Sequence, residues 1–596
     1  MVNYLLKFDA IVIAPVVILA FVGRLYHMWR RHAVKSLVPL PGPVSKSFIF
    51  GNSGDLYSAP NGLNYHHELF RKYGKVFKVN MMAGEEQIYL SDTRALQHVL
   101  VKDTHIFDET PAMMSEFYYC FGPGLISVHG DTHKKQRKMI QPLFGTSHMR
   151  NLTPTFWKIA SQTRDVILAK VLEGSSRNGP SVGACEGVSA VIDVWRWCSR
   201  VALEGVGVGA LGYSFGALDD SVDSDYMIAA RELPYTVYPL RKFMPICIWC
   251  MKNLPVWLQR FLAKITPVPR VQKVRQIVET LQRNSDALWE EKKRIILEDD
   301  LEKEAQLAAA GNDVLSILMR ANMSALENEK EYLPEEEVKG QINTLVSAAH
   351  DTVSSAIGRM LFALSQDSSR QERLRKELIE ASGASEDFTQ IDYHTVMTLP
   401  FLDACYRETL RLYAPASFQH RIARKATVVP LREPITLANG EVTKELPINK
   451  NQTVFVGIET VNRDPEIWGP DAEEWIPERW IEGVPQSVNT ASVPGAFSNT
   501  LTFLGGSRSC IGMKFSEIEI STSAISLTVY SQITVPLEET VLFALFRDFQ
   551  FGPAPGKEEI KWRLSLVQTP ALPGREHIDE PELPLKVTVM NAKVKG

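Results

Sequence analysis

Cysteine is scarce and scattered in this chain of 596 residues: seven in all, at positions 120, 185, 198, 247, 250, 405 and 510. Such a set makes no disulfide framework, and a reducing compartment is the simpler setting. Excess charge of either sign is also missing. Against 69 acidic residues stand 65 basic ones, a net of -4, so no overall basic field points to nucleic acid and none is expected as a partner. Gly/Ser linkers, internal repeats and low-complexity tracts are absent after the first forty-odd residues, which favours one large domain over two. The C-x-x-C pair Cys247 and Cys250 lacks the βαβ setting of a redox motif and reads as two small hydrophobes, buried or facing a membrane.

What is present begins at the amino terminus. Ala10 to Gly23 is apolar and uncharged, and Arg24, Arg30, Arg31 and Lys35 follow it. Fourteen helical residues reach only about 21 Å, but extension back to Val2 gives about 33 Å if Lys7 snorkels and Asp9 lies near an interface. A bilayer core is roughly 30 Å thick. A cleaved signal would carry its basic residues before the apolar run, and here they come after it. Residues 1–25 therefore read as a single-pass signal anchor that leaves the remainder cytosolic; Pro15 keeps an apolar surface helix open as the alternative. Residues 26–45, with Pro39, Pro41 and Pro43, read as a stiff hinge, and 46–596 as one domain.

Most of that domain reads helical. From Glu335 to Gln366, Val338, Ile342, Leu345, Val346, Ala349, Val353, Ile357, Leu361 and Leu364 recur at three- and four-residue steps. So long a helix is expected to cross the whole core. A second amphipathic helix covers Val271 to Glu298, and strand-like alternation marks Ala426–Ile435 and Gln452–Ile458. The fold class is mainly α with a minor β-sheet region.

The strongest chemical signal is Phe503-Leu-Gly-Gly506-Ser-Arg508-Ser-Cys510-Ile-Gly512. A thiolate that ligates iron needs backbone N–H groups aimed at its sulfur and little bulk around it, and the glycines at 506 and 512 supply both. Arg508 has the chemistry to pair with a haem propionate. From Met513 the chain is expected to turn helical, placing a positive helix end near the sulfur.

On these residues the chain resembles a cytochrome P-450, a haem-thiolate monooxygenase, from about Pro39 to the carboxyl terminus. The resemblance implies that family's fold, a haem b with Cys510 as axial ligand, and oxygen activation. It also implies roles for Phe503, Gly506 and Arg508 around the haem. Glu408-Thr-Leu-Arg411 matches the family's E-x-x-R and, with Arg479 of Pro477-Glu-Arg-Trp480, implies a buried structural network bracing the haem-side loop. Ala348-Ala-His-Asp351-Thr352-Val resembles the oxygen-activating stretch, with Asp351 as proton source and Thr352 as the relaying hydroxyl. Ala349 stands where the family usually has Gly, and Val353 where a second hydroxyl is usual. His133 and Arg137, four apart on one helix face, and Arg421 resemble propionate-holding positions. Lys134, Lys135 and Lys138 of that same helix are candidates to dock an electron donor: an NADPH–cytochrome reductase, with cytochrome b5 a second candidate.

Two apolar stretches are expected to shape access, Phe107 to Phe121 and Tyr235 to Pro267. The second, beside Arg241, Lys242, Lys252 and Lys264, reads as a surface dipping into a bilayer. A hydrophobic substrate from secondary metabolism, such as a terpenoid, follows from a general likeness to fungal microsomal members, and with it an endoplasmic reticulum location. The rival readings are a haem-thiolate isomerase or dehydratase working without a reductase, and a non-catalytic haem-binding protein. Finally, residues 522–539, rich in Ser, Thr and Val, interrupt the helix expected after the ligand. They read either as a looped insertion or as a small in-frame intron left in the gene model, with helix resuming near Thr540.

Overall fold

The computed structural model describes residues 33–176, 187–298, 313–324, 332–383, 391, 395–396, 398–513, 537–577 and 580–590. The helices used below are α1 (Pro111–Phe121), α2 (Gly130–Ile140), α3 (Thr146–Ser176), α4 (Val194–Val206), α5 (Asp225–Val237), α6 (Met244–Asn253), α7 (Val256–Ile265), α8 (Pro269–Glu298), α9 (Glu335–Ser365), α10 (Ser368–Ser382), α11 (Pro400–Leu412) and α12 (Leu537–Asp548).

Helix α9 is the axis of the molecule. It runs for 31 residues, and Val338, Ile342, Val346, Val353, Ile357, Leu361 and Leu364 are all buried. Its start is stabilised by Glu335, Glu336 and Glu337 in the first turn, where carboxylates meet the positive end of the helix dipole. At its other end Asp367 turns the chain into α10 by accepting hydrogen bonds from the backbone of Ser369 and Arg370. α4 packs along α9, and α3 packs against α12 in the same apolar cluster. The long amphipathic helix α8 begins two residues earlier than its apolar periodicity implies, because Pro269 is a good first helical residue.

The minor β structure lies to one side. Strands β1 (Val76–Asn80), β2 (Glu86–Leu90) and β3 (Phe107–Asp108) precede β4 (Ser189–Asp193). Strands β5 (Phe418–Ala423), β6 (Thr427–Thr436), β7 (Val442–Ile448) and β8 (Thr453–Gly457) follow α11. A five-stranded sheet has the order β1-β2-β8-β5-β3, with β2 and β8 parallel and the other neighbours antiparallel. β6 and β7 form a hairpin, and near the carboxyl end Pro584–Val589 pairs with β4 on one side and Phe549–Pro553 on the other in a further sheet.

The proline-rich stretch, expected as a stiff hinge, is tied to the domain: Pro41 O accepts from Lys78 N at 2.9 Å, Pro39 O accepts from Ala438 N at 2.7 Å, and Leu40 is buried. Its prolines keep it extended, and the exposed carbonyls then find donors on the domain. The last helix begins at Leu537, not near Thr540, and both Glu538 and Glu539 are buried within it. The anchor at 1–25, residues 522–536 and the helix expected after Met513 lie outside the described residues. Among those that are described, no helix is long and apolar enough to cross a membrane.

Candidate active site

A buried helix would hide all its side chains, yet α9 opens midway: Ser347, Ala348, Ala349, Asp351 and Thr352 line a cavity of about 830 Å³. Phe503, Arg508 and Cys510 line the same cavity, with His133 and Arg137 from α2 and Arg421 from β5. The fold thus brings one thiol, the acid–alcohol pair and a cluster of basic side chains around a single space.

The Cys510 loop is shaped by close approach. Gly506 has φ +75, and a Cβ there would meet Leu100 O at 2.0 Å, so only glycine is tolerated. Cys510 N donates to Phe503 O at 2.9 Å and closes the loop. The second expected glycine is less demanding: a Cβ on Gly512 would sit 3.9 Å from Cys510 Sγ, an ordinary contact. Position 505, passed over in the sequence, is the tighter one, since a Cβ there would lie 1.8 Å from Pro494 O.

A buried charge network stands behind this loop. Arg411 donates to both oxygens of Glu408 at 2.7 and 2.8 Å, and Arg479 Nε donates to Glu408 Oε1 at 2.9 Å. Trp480 and the Ile476 backbone supply two more donors to the same carboxylate. Arg411 also donates to the carbonyls of Asn462 and Ala472. Asn462 in turn receives Leu501 N at 2.8 Å and donates to Thr502 Oγ1 at 3.0 Å, one residue before Phe503. The network therefore reaches the loop through Asn462, a link that spacing alone did not reveal. Removing one member would strand a buried charge.

Arg137 donates to Ser509 O at 2.8 Å and Ser509 Oγ at 3.2 Å, so it clamps the cysteine loop itself. Arg508 Nε lies 3.0 Å from Glu109 Oε2, and Arg421 Nη2 lies 3.5 Å from Glu109 Oε1. Burial outweighs these two guanidiniums and holds the Glu109 carboxyl above the usual carboxylate range. His133 is neutral at physiological pH: burial first, then Arg508 and Arg137, lower its pKa to about 3. One of its ring nitrogens remains a donor. Of the three lysines on α2, Lys134 and Lys138 are exposed, whereas Lys135 is drawn aside to the Tyr332 carbonyl.

On α9, Thr352 Oγ1 donates to Ala348 O at 2.7 Å, the local back-bond common for helical threonines. Its lone pairs stay available to accept. Asp351 Oδ1 lies 3.1 Å from His350 Nδ1. Glu116 of α1 receives a forked contact from Arg241, at 3.0 to 3.1 Å. Arg241 is therefore turned inward, unlike the surface cation expected in its stretch. Glu109 and Glu116 escaped the sequence reading because their partners are brought to them only by the fold.

These residues fit a haem. The wall carries a thiol, and two guanidiniums and an imidazole that would supply donors to the carboxylates of a flat ring. The comparison with known families decides the matter: the cytochrome P-450 family model matches residues 41–528. The chain belongs to the cytochrome P-450 family. Over 548 residues it is 36% identical to cytochrome P-450 monooxygenase 91 of Postia placenta, a match covering 92% of this chain and 93% of that one. A ganoderic acid synthetase of Ganoderma lucidum is 33% identical over 587 residues, 97% of this chain and 99% of its own. A cytochrome P-450 monooxygenase of Hericium erinaceus is 31% identical over 571 residues, 94% and 95% of the two chains. This cytochrome P-450 is a monooxygenase, and its cofactor is haem b with a cysteine thiolate as axial ligand.

Proposed function

We propose that this monooxygenase inserts one oxygen atom from O2 into an apolar small molecule, a terpenoid or similar secondary metabolite, with electrons from NADPH passed on by a reductase. The observation that carries the reading is the shared cavity, in which Cys510, Asp351 and Thr352 all face one space. When bound, the haem supplies oxygen activation, favoured by electron density from its thiolate ligand.

The chain's own residues do the rest. Cys510 provides the thiolate, held by the loop closure to Phe503 and by Arg137 on Ser509. Arg508, Arg421 and His133 meet the propionates, with Glu109 as the carboxylate that keeps the two arginines aligned before the ring arrives. Asp351 holds a proton, and Thr352 accepts it while its own hydroxyl proton moves onward into the cavity. Phe117, Phe121, Leu125, Ile126, Leu345 and Val353 supply apolar walls that orient a hydrophobic guest and keep bulk water away. The terpenoid assignment draws on these walls and on the ganoderic acid synthetase among the relatives. The exposed Lys134 and Lys138 suit an acidic face of the reductase or of cytochrome b5.

The location we propose is the endoplasmic reticulum membrane, with the catalytic domain cytosolic. Exposed apolar side chains at Phe243, Ile246, Trp257, Phe261 and Ile265 support it. An isomerase or dehydratase would need neither the acid nor the alcohol, and both line the cavity. The test is turnover of a terpenoid panel by the full chain with an NADPH–cytochrome P-450 reductase under labelled dioxygen. One label per product is expected. Unlabelled product, or turnover of a peroxide substrate without NADPH, would overturn the proposal.

A further inference from the structure

The acid on α9 has an unusual companion. Asp351 is nearly buried, with a side chain only 11% exposed, and among the described residues no lysine or arginine comes within ion-pairing distance of it. Its neighbour is His350, whose Nδ1 stands 3.1 Å from Asp351 Oδ1 and whose side chain is 4% exposed. The far nitrogen, Nε2, lies 2.8 Å from Ser199 Oγ on α4. Ser199 is itself buried, and α4 packs along α9 throughout this region. Three side chains from two helices thus form a line, Ser199, His350 and Asp351, that ends at the cavity wall.

The chemistry of the line fixes its protons. A lone pair on Nδ1 would repel the Asp351 carboxyl oxygen 3.1 Å away, so this neighbour favours the tautomer with the proton on Nδ1. Nε2 is then an acceptor, and the Ser199 hydroxyl must donate to it. Ser199 therefore locks the ring's rotation as well as its tautomer. A carboxyl that must aim a proton at Thr352 loses reach if it rotates by even one rotamer, and an ångström of misplacement costs up to about a hundredfold in rate.

We infer that His350, tethered by Ser199, is the positioning residue that holds Asp351 toward the cavity, in place of a charged partner. This rests on the reading of Asp351 and Thr352 as the proton relay. It gives His350 no contact with substrate or haem, so its effect must pass entirely through Asp351.

The test uses the full chain with its haem and a reductase, and reads product formed per NADPH consumed together with the solvent isotope effect on product formation. The ferrous–CO spectrum reports that each variant keeps its haem. Asp351→Asn should lower coupling, and His350→Leu should lower it by roughly tenfold, with a changed isotope effect in both. His350→Asn places an amide nitrogen where Nδ1 stood and should restore most of the coupling. His350→Gln reaches Ser199 but not Asp351 and should not. The double variant Asp351→Asn/His350→Leu should be no worse than Asp351→Asn alone. Additive losses in the double variant, or equal losses for His350→Asn and His350→Gln, would overturn the inference, and the second comparison still decides if the leucine variant fails to hold haem. Asp351→Asn coupling like wild type would remove the relay reading and this inference with it. Impaired Asp351→Asn beside unimpaired His350→Leu would remove the inference alone.

Discussion

Cys510 differs from the other cysteines of the chain in what surrounds it. Cys120, Cys198 and Cys405 are free thiols sealed in the core, where burial pushes their pKa values up and keeps them uncharged. Cys510 opens on the cavity, with Arg137 close enough to act on its charge. Among the described cysteines, Cys510 alone lines this cavity. Cys510→Ala is therefore expected to abolish the red-shifted ferrous–CO band of a thiolate-ligated haem, read on purified protein. A variant that keeps the band would move the ligand to another cysteine. At this scale the sequence was a good guide wherever a motif is local: a glycine loop around a cysteine, or an acid beside an alcohol, lies within ten residues. It was a poor guide to Glu109 and Ser199, because a carboxylate near two arginines and a serine near a histidine have no spacing rule when the fold alone joins them.

The elements followed from periodicity to within a few residues for α8, α9 and the strands near 427–436 and 453–457, because each has a long, clean apolar face or tight turn residues at its ends. α12 did not. Its first turn carries Glu538 and Glu539, both buried, and burial lifts Glu538 to about 8. Among the described residues Glu538 Oε2 meets no hydrogen-bond donor. A buried carboxyl without a partner is costly, and a second buried carboxyl beside it argues that this turn is not native to the helix it begins. The family match supplies an independent sign, since it ends at residue 528, inside the segment 522–539. Eighteen residues are about five helical turns, so their removal keeps the two flanks in helical phase, with Phe543 and Ala544 falling seven and eight positions after Ile518. We expect the mature transcript to lack codons 522–539, and protein made without them to load more haem and to melt higher. A mature message that encodes the segment would end this reading and leave an inserted loop, which closure entropy tolerates because its cost grows only logarithmically with length.

The whole molecule joins a sheet-and-helix body to one apolar face, and each half makes its own prediction. In the body, His66 is buried and His420 half-buried against Phe455 and Phe418. Burial lowers their pKa values to about 4 and about 3. The unfolded chain protonates both near 6.5 while the folded one does not, so stability should fall as pH drops from about 6.5 toward 4. Each group accounts for up to about 3 kcal/mol across that window, and His66→Gln should flatten the slope of melting temperature against pH by about one proton's worth. An unchanged slope would mean that His66 charges in the folded state. The apolar face is built from two parts of the chain. Phe243, Trp257, Phe261, Ile265 and Val268 are exposed on α6, α7 and their flanks, and so are Val44, Phe48 and Ile49 near the amino end. Phe50 and Phe243 meet edge to face at 5.6 Å, which makes the two parts one surface. Lys242 and Lys264 lie beside it, exposed and basic, as an anionic headgroup layer would favour. Tyr235 and Tyr238, by contrast, are buried, so the exposed apolar face begins at Phe243 and not at the start of the stretch read from the sequence. A face of this kind holds a protein to a bilayer by burying apolar area, with a smaller electrostatic part that salt screens. Deleting Met1 to Val22 should thus weaken membrane association without abolishing it, and raised salt should release only a fraction of the truncated protein. Adding Trp257→Ser and Phe261→Ser to the truncation should free the rest, as measured by flotation with liposomes containing anionic lipid. Full release of the singly truncated chain at low salt would show that the anchor alone carries the attachment.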